Sequence, residues 1–169
     1  LPPYGSVHCC QAFEFAEGNS PMFIDTHTHF YDPGRPQGVP WPPSDNELLY
    51  RTVLPRHLKA FAEPVGITGT VVVEASPWVE DNQWILDLAE KEPYIVGFVG
   101  NLDPASDTFD AHPDRLSENP IFRGIRVGRE HIQNEALAES GVRRLAEKDL
   151  SLDILAGPEQ LRLVSNLAR

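Results

Sequence analysis

The sequence predicts an α/β fold: a parallel sheet of five short strands with helices packed outside it. Five apolar runs of strand length recur between residues 22 and 155, and each is followed by a segment with apolar residues at helical spacing. The second and third runs, TVVVEA and YIVGFVG, are apolar on both faces, as strands buried on both sides of a parallel sheet are. The repeated order of strand, loop and helix then demands parallel pairing. Two architectures fit. One is an open doubly wound sheet. The other is part of a (β/α)8 barrel, which usually takes about 250 residues. Five units in 169 residues is the barrel's rate and not its total. No Gly-rich phosphate loop follows the first strand, which lowers the nucleotide-binding version of the open sheet.

Residues 1–21 show no clean period and read as an irregular arm; residues 22–169 form the folded part. The first strand spans 22–30, where Met22-Phe23-Ile24 leads into Asp25-Thr26-His27-Thr28-His29. Residues 31–47 are rich in proline and glycine and form a long loop. A loop above about 12–15 residues in a compact domain is usually functional or mobile. A helix over 54–64 carries the stripe Leu54, Leu58, Phe61 and Ala62, and Gly66 ends it. The second strand is 70–75. A helix over 80–91 shows Trp84, Ile85, Leu88 and Ala89 on one face, and the third strand is 94–100. A weaker helix over 107–119 is broken by Pro113, and the fourth strand is 122–127. A helix over 134–148 uses Leu137, Val142, Leu145 and Ala146 as its core side. The fifth strand is 150–155, and a last helix over 158–167 begins at Pro158, where the missing N–H costs nothing. Its apolar face is Leu161, Val164, Leu167 and Ala168.

Composition narrows the function. The chain is 41% hydrophobic and 23% charged, which suits a folded core. Its 14 basic and 25 acidic residues give a net charge of -11, which disfavours nucleic acid and anionic membrane surfaces as partners. No stretch reaches the roughly 18 apolar residues of a bilayer span. Residues 1–22 lack the features of a secretory signal, so the expected location is cytoplasmic, with a processed or exported precursor as the alternative. Cys9 and Cys10 are adjacent and read as two free thiols. The expected partner is a small molecule.

The candidate site follows from strand parity. Asp25, His27 and His29 share one face of a strand taken to be buried, and the histidines sit at its C-terminal end, where α/β folds place their chemistry. Two imidazoles two residues apart can share a divalent ion whose other ligands come from other strands. The competing reading is a pair of structural histidines in a polar core. Glu74 ends the second strand at the same rim and can accept from His27 or His29, complete a metal shell, or pair with a nearby loop. Asn101 and Asp103 follow the third strand as caps or substrate contacts. Arg126 lies late in the fourth strand with Gly124 beside it. Its planar fork suits a substrate carboxylate or an oxyanion, with an internal salt bridge to Glu74 or Asp25 as the alternative. Arg129 and His131 are weaker candidates in the next loop. Asp153 is a carboxylate taken to be buried in the fifth strand. His8, His57 and His112 have ordinary packing as the default. Phe30, Tyr31, Trp41 and Trp78 line a small-molecule mouth or cover a loop.

FIDTHTHFYDPGRPQGVPWPP, followed in order by GITGTVVVEA, YIVGFVGNLD, FRGIRV and LSLDIL, resembles the N-terminal part of amidohydrolase-related proteins of the lactonase type. That group includes L-fucono-lactone, L-rhamnono-lactone and 2-pyrone-4,6-dicarboxylate lactone hydrolases. The resemblance covers residues 22–169. It implies a partial TIM-like barrel of about five β-α units, and a hydrolase that opens a lactone or similar cyclic ester of a small sugar-acid or carboxylated substrate. It implies a divalent metal, zinc by preference, bound in some members and dispensable in others. His27 and His29 match the family's first-strand histidines, as catalytic groups and metal ligands. Arg126 matches the fourth-strand arginine that holds an anionic substrate, and Glu74 falls where relatives carry another polar residue. A decarboxylase of the same superfamily is the nearest alternative, and an inactive fragment or interaction module the next.

Relatives also carry a histidine in the sixth-strand region and an aspartate after the eighth strand that activates water. Neither is in this chain. The expectation is therefore a fragment of a longer product, ahead of a barrel completed by a partner and ahead of a true short sheet. Residues 1–169 alone are expected to show negligible lactonase turnover and to self-associate through open sheet edges.

Overall fold

The computed structural model describes residues 22–104, 106, 108, 109, 111–128 and 141–167. The arm over 1–21, with His8, Cys9 and Cys10, lies outside the described residues, as do Arg129, His131, the start of the helix expected over 134–148, and Ala168.

The elements are β1 (Phe23–Thr28), α1 (Pro55–Ala62), β2 (Ile67–Val73), α2 (Val79–Ala89), β3 (Ile95–Gly100), α3 (Ala111–Leu116), β4 (Phe122–Val127), α4 (Val142–Glu147), β5 (Ser151–Ile154) and α5 (Leu161–Leu167). All five strands pair in parallel, in the order β1-β2-β3-β4-β5. This order separates the two candidate architectures. A doubly wound sheet reverses its strand order at a switch point, so its helices fall on both faces. An unreversed order with right-handed crossovers puts every helix on one face, as in a barrel. The core agrees: Val72, Phe98, Ile125 and Val127 pack with Ile85 and Leu86 of α2, Leu116 of α3 and Leu145 of α4. The fold is a partial TIM-like barrel of five β-α units.

Local chemistry accounts for the boundaries. Pro55 opens α1 at its first position, and the Leu54 N–H donates to His57 Nδ1 at 3.0 Å, so His57 is a capping residue. Gly66 takes φ 88, the left-handed conformation that turns the chain into β2. Pro113 is the third residue of α3. In a first turn its missing N–H breaks no bond, so it does not interrupt the helix as expected.

Other expectations fail at the sheet edges. β1 is not buried: Phe23 is 58% exposed and His27 is exposed. Asp153 on β5 is exposed too. Phe61 of α1 and Leu161 of α5 stand 78% and 60% exposed, although both lie on the apolar stripes of their helices. Ala146 is also exposed. β1 and β5 each have one neighbouring strand, so their inward side chains and the outer flanks of α1 and α5 are packed from one side only.

The segment after β1 is tied down along its length. Tyr31 bridges Val53 in antiparallel fashion, with both backbone bonds made, at 3.0 and 2.9 Å. Asp32 accepts from the Thr52 hydroxyl at 2.7 Å and from the Gly34 N–H at 2.9 Å. Arg35 pairs with Asp81 on α2 and lies 4.5 Å over the Trp84 ring. Among the described residues, no helix is long and apolar enough to cross a membrane.

Candidate active site

His27 and His29 leave the C-terminal end of β1, where the strand is irregular. Asp25 pairs with Thr70 and Thr28 with Val72, so three steps on β1 match two on β2. This bulge re-aims the side chains. It is held by the His27 N–H donating to Asp25 Oδ1 at 3.1 Å and by the Thr28 and Thr70 hydroxyls, 2.7 Å apart. The two imidazoles meet edge to face, with ring centroids 5.0 Å apart. Asp25 is used in this local turn.

His29 has a defined tautomer. A carbonyl can only accept, so Nδ1 carries the proton donated to the Val73 oxygen at 2.9 Å, and Nε2 keeps its lone pair. Burial lowers the His29 pKa, and the nearby Arg126 cation lowers it further, against the opposing pull of the Val73 bond. The ring is therefore a neutral base or ligand near pH 7.

Arg126 reaches inward from β4 and meets Glu74, just past the end of β2. Its Nε donates to Glu74 Oε1 at 2.9 Å, and its Nη2 donates to the Glu74 carbonyl oxygen at 2.9 Å. Both side chains are largely buried, so the pair is a charge-assisted clamp and not a solvated contact. Nη1 is left facing His27 Nε2 at 3.4 Å. Glu74 thus lies on Arg126 and on neither histidine. A side chain at Gly124 would collide with the Ser151 backbone of β5.

The exit of β3 is held by a residue that sequence reasoning missed. Asn82 of α2 is 2% exposed. Its Oδ1 accepts from the Asn101 N–H at 2.9 Å, and its Nδ2 donates to the Asn101 carbonyl at 2.8 Å. Asn101 in turn directs Nδ2 towards the Arg126 carbonyl at 3.4 Å. Gly100 is required beside it, because any side chain would strike the Asn82 amide. Nothing in the polar string Val79-Glu80-Asp81-Asn82-Gln83 marks Asp81 and Asn82 as buried.

These groups surround an open cleft of about 460 Å3 at the C-terminal ends of the strands, lined by His29, Trp41, Glu74, Asn101, Arg126 and Leu155 among others. The lining mixes polar groups with the apolar side chains of Trp41 and Leu155. Among the described residues, no group of three His, Cys, Asp or Glu side chains is placed to hold a metal ion. The donor set fits part of a metal shell: His29 offers a free Nε2 and His27 lies beside it, while Glu74 is committed to Arg126.

Comparison with known proteins gives the same assignment. A family model described as Amidohydrolase matches residues 24–169. The chain is 30% identical over 151 residues to an L-fucono-1,5-lactonase of Burkholderia ambifaria, covering 86% of this chain and 52% of that protein. An amidohydrolase from Burkholderia multivorans, solved with bound zinc, superposes with a TM-score of 0.72 at 25% identity, covering 86% of this chain and 53% of that one. A probable 2-pyrone-4,6-dicarboxylic acid hydrolase from Acinetobacter baumannii, solved with citric acid, shares the fold with a TM-score of 0.65 at 15% identity, covering 87% and 54%. The chain spans about half the length of these relatives. With the strand order, the one-sided helices and the paired histidines at the end of β1, this places the chain in the amidohydrolase family.

Proposed function

We propose that this chain supplies the first wall of a site that opens a lactone, the cyclic ester of a small sugar acid or a carboxylated ring. The observation that carries the reading is the clamped arginine. Glu74 occupies one edge of the Arg126 guanidinium, which lines the cleft, and leaves Nη1 beside His27. A guanidinium held in this way is a preorganised donor for the oxygen on which charge builds when an ester carbonyl is attacked. The same edge suits a substrate carboxylate. Where no metal is held, His29, neutral and with a free Nε2, accepts a proton from water and orients it. Where a zinc ion is held, His27 and His29 are the two donors this chain provides, and the ion supplies polarisation of the carbonyl. The lactonase relative supports the substrate class, and the zinc-bearing relative supports the metal.

The test is ligand binding by residues 1–169, read by calorimetry. The probes are L-fucono-1,5-lactam, an inert ring analogue, and 2-pyrone-4,6-dicarboxylate. Loss of a hydrogen bond to a charged group costs about 1.5–3 kcal/mol. Arg126→Met is therefore expected to weaken whichever probe binds by about tenfold to a hundredfold. Binding of neither probe by the unaltered chain, or equal binding by R126M, sinks the proposal.

A further inference from the structure

Trp41 holds an unusual position for a large apolar side chain. It sits in the long segment after β1 and is 40% exposed. Its neighbour Pro42 is fully buried. Tyr31, 6% exposed, meets the indole edge-on at 5.3 Å, and the Tyr31 hydroxyl is itself tied to the Leu49 carbonyl at 3.1 Å. His29 meets the indole at 5.7 Å, with the planes inclined by 64°. Two rings thus contact the indole, and Trp41 lines the cleft together with His29, Arg126 and Asn101. The segment carrying it is anchored to α2 through Arg35 and Asp81.

We propose that Trp41 determines ring specificity at this site, as the platform on which the flat or C–H face of a cyclic ester stacks while its carbonyl edge turns to Arg126. The inference rests on the lactone reading above and adds the contact that selects a ring over an open chain. The chemistry matches on both sides. A lactone presents a polar edge and a less polar ring face, and the cleft is lined by polar groups and an indole. Aromatic side chains gain from such face contact beyond simple burial, and a rigid indole loses little entropy in making it.

The experiment compares unaltered residues 1–169 with Trp41→Phe and Trp41→Ala, titrated with L-fucono-1,5-lactam by calorimetry. Far-UV circular dichroism verifies that each variant folds. W41A is expected to bind about tenfold more weakly. W41F, which keeps a ring, should stay within about threefold of the unaltered chain. Unchanged affinity in W41A, or equal loss in W41A and W41F, overturns the inference and leaves the hydrolase reading standing. Failure of the unaltered chain to bind the lactam overturns the inference at its base. Failure to bind 2-pyrone-4,6-dicarboxylate as well removes the lactone reading with it.

Discussion

Replacing Asn82 by alanine tests whether α2 holds the exit of β3. The side chain is 2% exposed and makes three hydrogen bonds: to the Asn101 N–H, the Asn101 carbonyl and the Val79 carbonyl. Alanine removes all three. The Val79 carbonyl lies in the first turn of α2 and keeps its helical role, so its loss costs little. The two Asn101 groups are stranded at a half-buried site, and each unmade bond of this kind costs about 1–3 kcal/mol. The expected loss is about 3 kcal/mol. For a chain of this size that lowers Tm by about 6–12 °C. Urea unfolding followed by far-UV circular dichroism reads the first value and a thermal scan the second. Asn82→Asp is a demanding control. It keeps the acceptor for the Asn101 N–H but turns a carboxylate oxygen towards two carbonyls, so it should be no better tolerated than alanine. A loss below about 0.5 kcal/mol in N82A, or an N82D as stable as the unaltered chain, refutes the clamp.

Two further outcomes follow from the segment after β1. Arg35→Ala leaves Asp81 in a largely buried site without its partner, which costs about 3–5 kcal/mol when a buried pair is broken from one side. Hydrogen exchange at Gly38, whose N–H bonds to the Arg35 carbonyl, should accelerate, and unchanged exchange would count against the anchor. Thr52→Val removes the hydroxyl that, with the Gly34 N–H, holds the Asp32 carboxyl below its ordinary pKa. A depressed carboxylate contributes stability above the ordinary carboxylate range and loses it as pH falls through the folded value. In T52V the Asp32 titration, followed by carboxyl carbon NMR, should move up towards the ordinary range while the Gly34 bond keeps it from reaching it. An unmoved titration is the contrary result.

Much of this was legible in the residues. TVVVEA and YIVGFVG were read as strands of the sheet interior, and β2 and β3 lie there with Val72, Val73, Phe98 and Val99 buried, although Val96 is 36% exposed. The extent of β4 matched to the residue, Phe122–Val127. The spacing of His27 and His29 placed both imidazoles at one strand end, and the structure brings them together there. Burial at β1, α1 and α5 was misjudged for one reason. Apolar periodicity says which face seeks cover, and only the neighbouring elements decide whether cover is present.

What the sequence determined by itself is the type and order of the elements and the end of the sheet where the polar groups gather. Those follow from side-chain period and turn chemistry, which are local. What only the tertiary structure decided is partnership. Glu74 and Arg126 are 52 residues apart, and whether they meet each other or a histidine depends on the register of three strands. Asp81 and Asn82 look like an exposed helix face until β3 and the segment after β1 close over them. The choice between open sheet and barrel also rested on an unreversed strand order, a relation between distant pairings that no local pattern encodes.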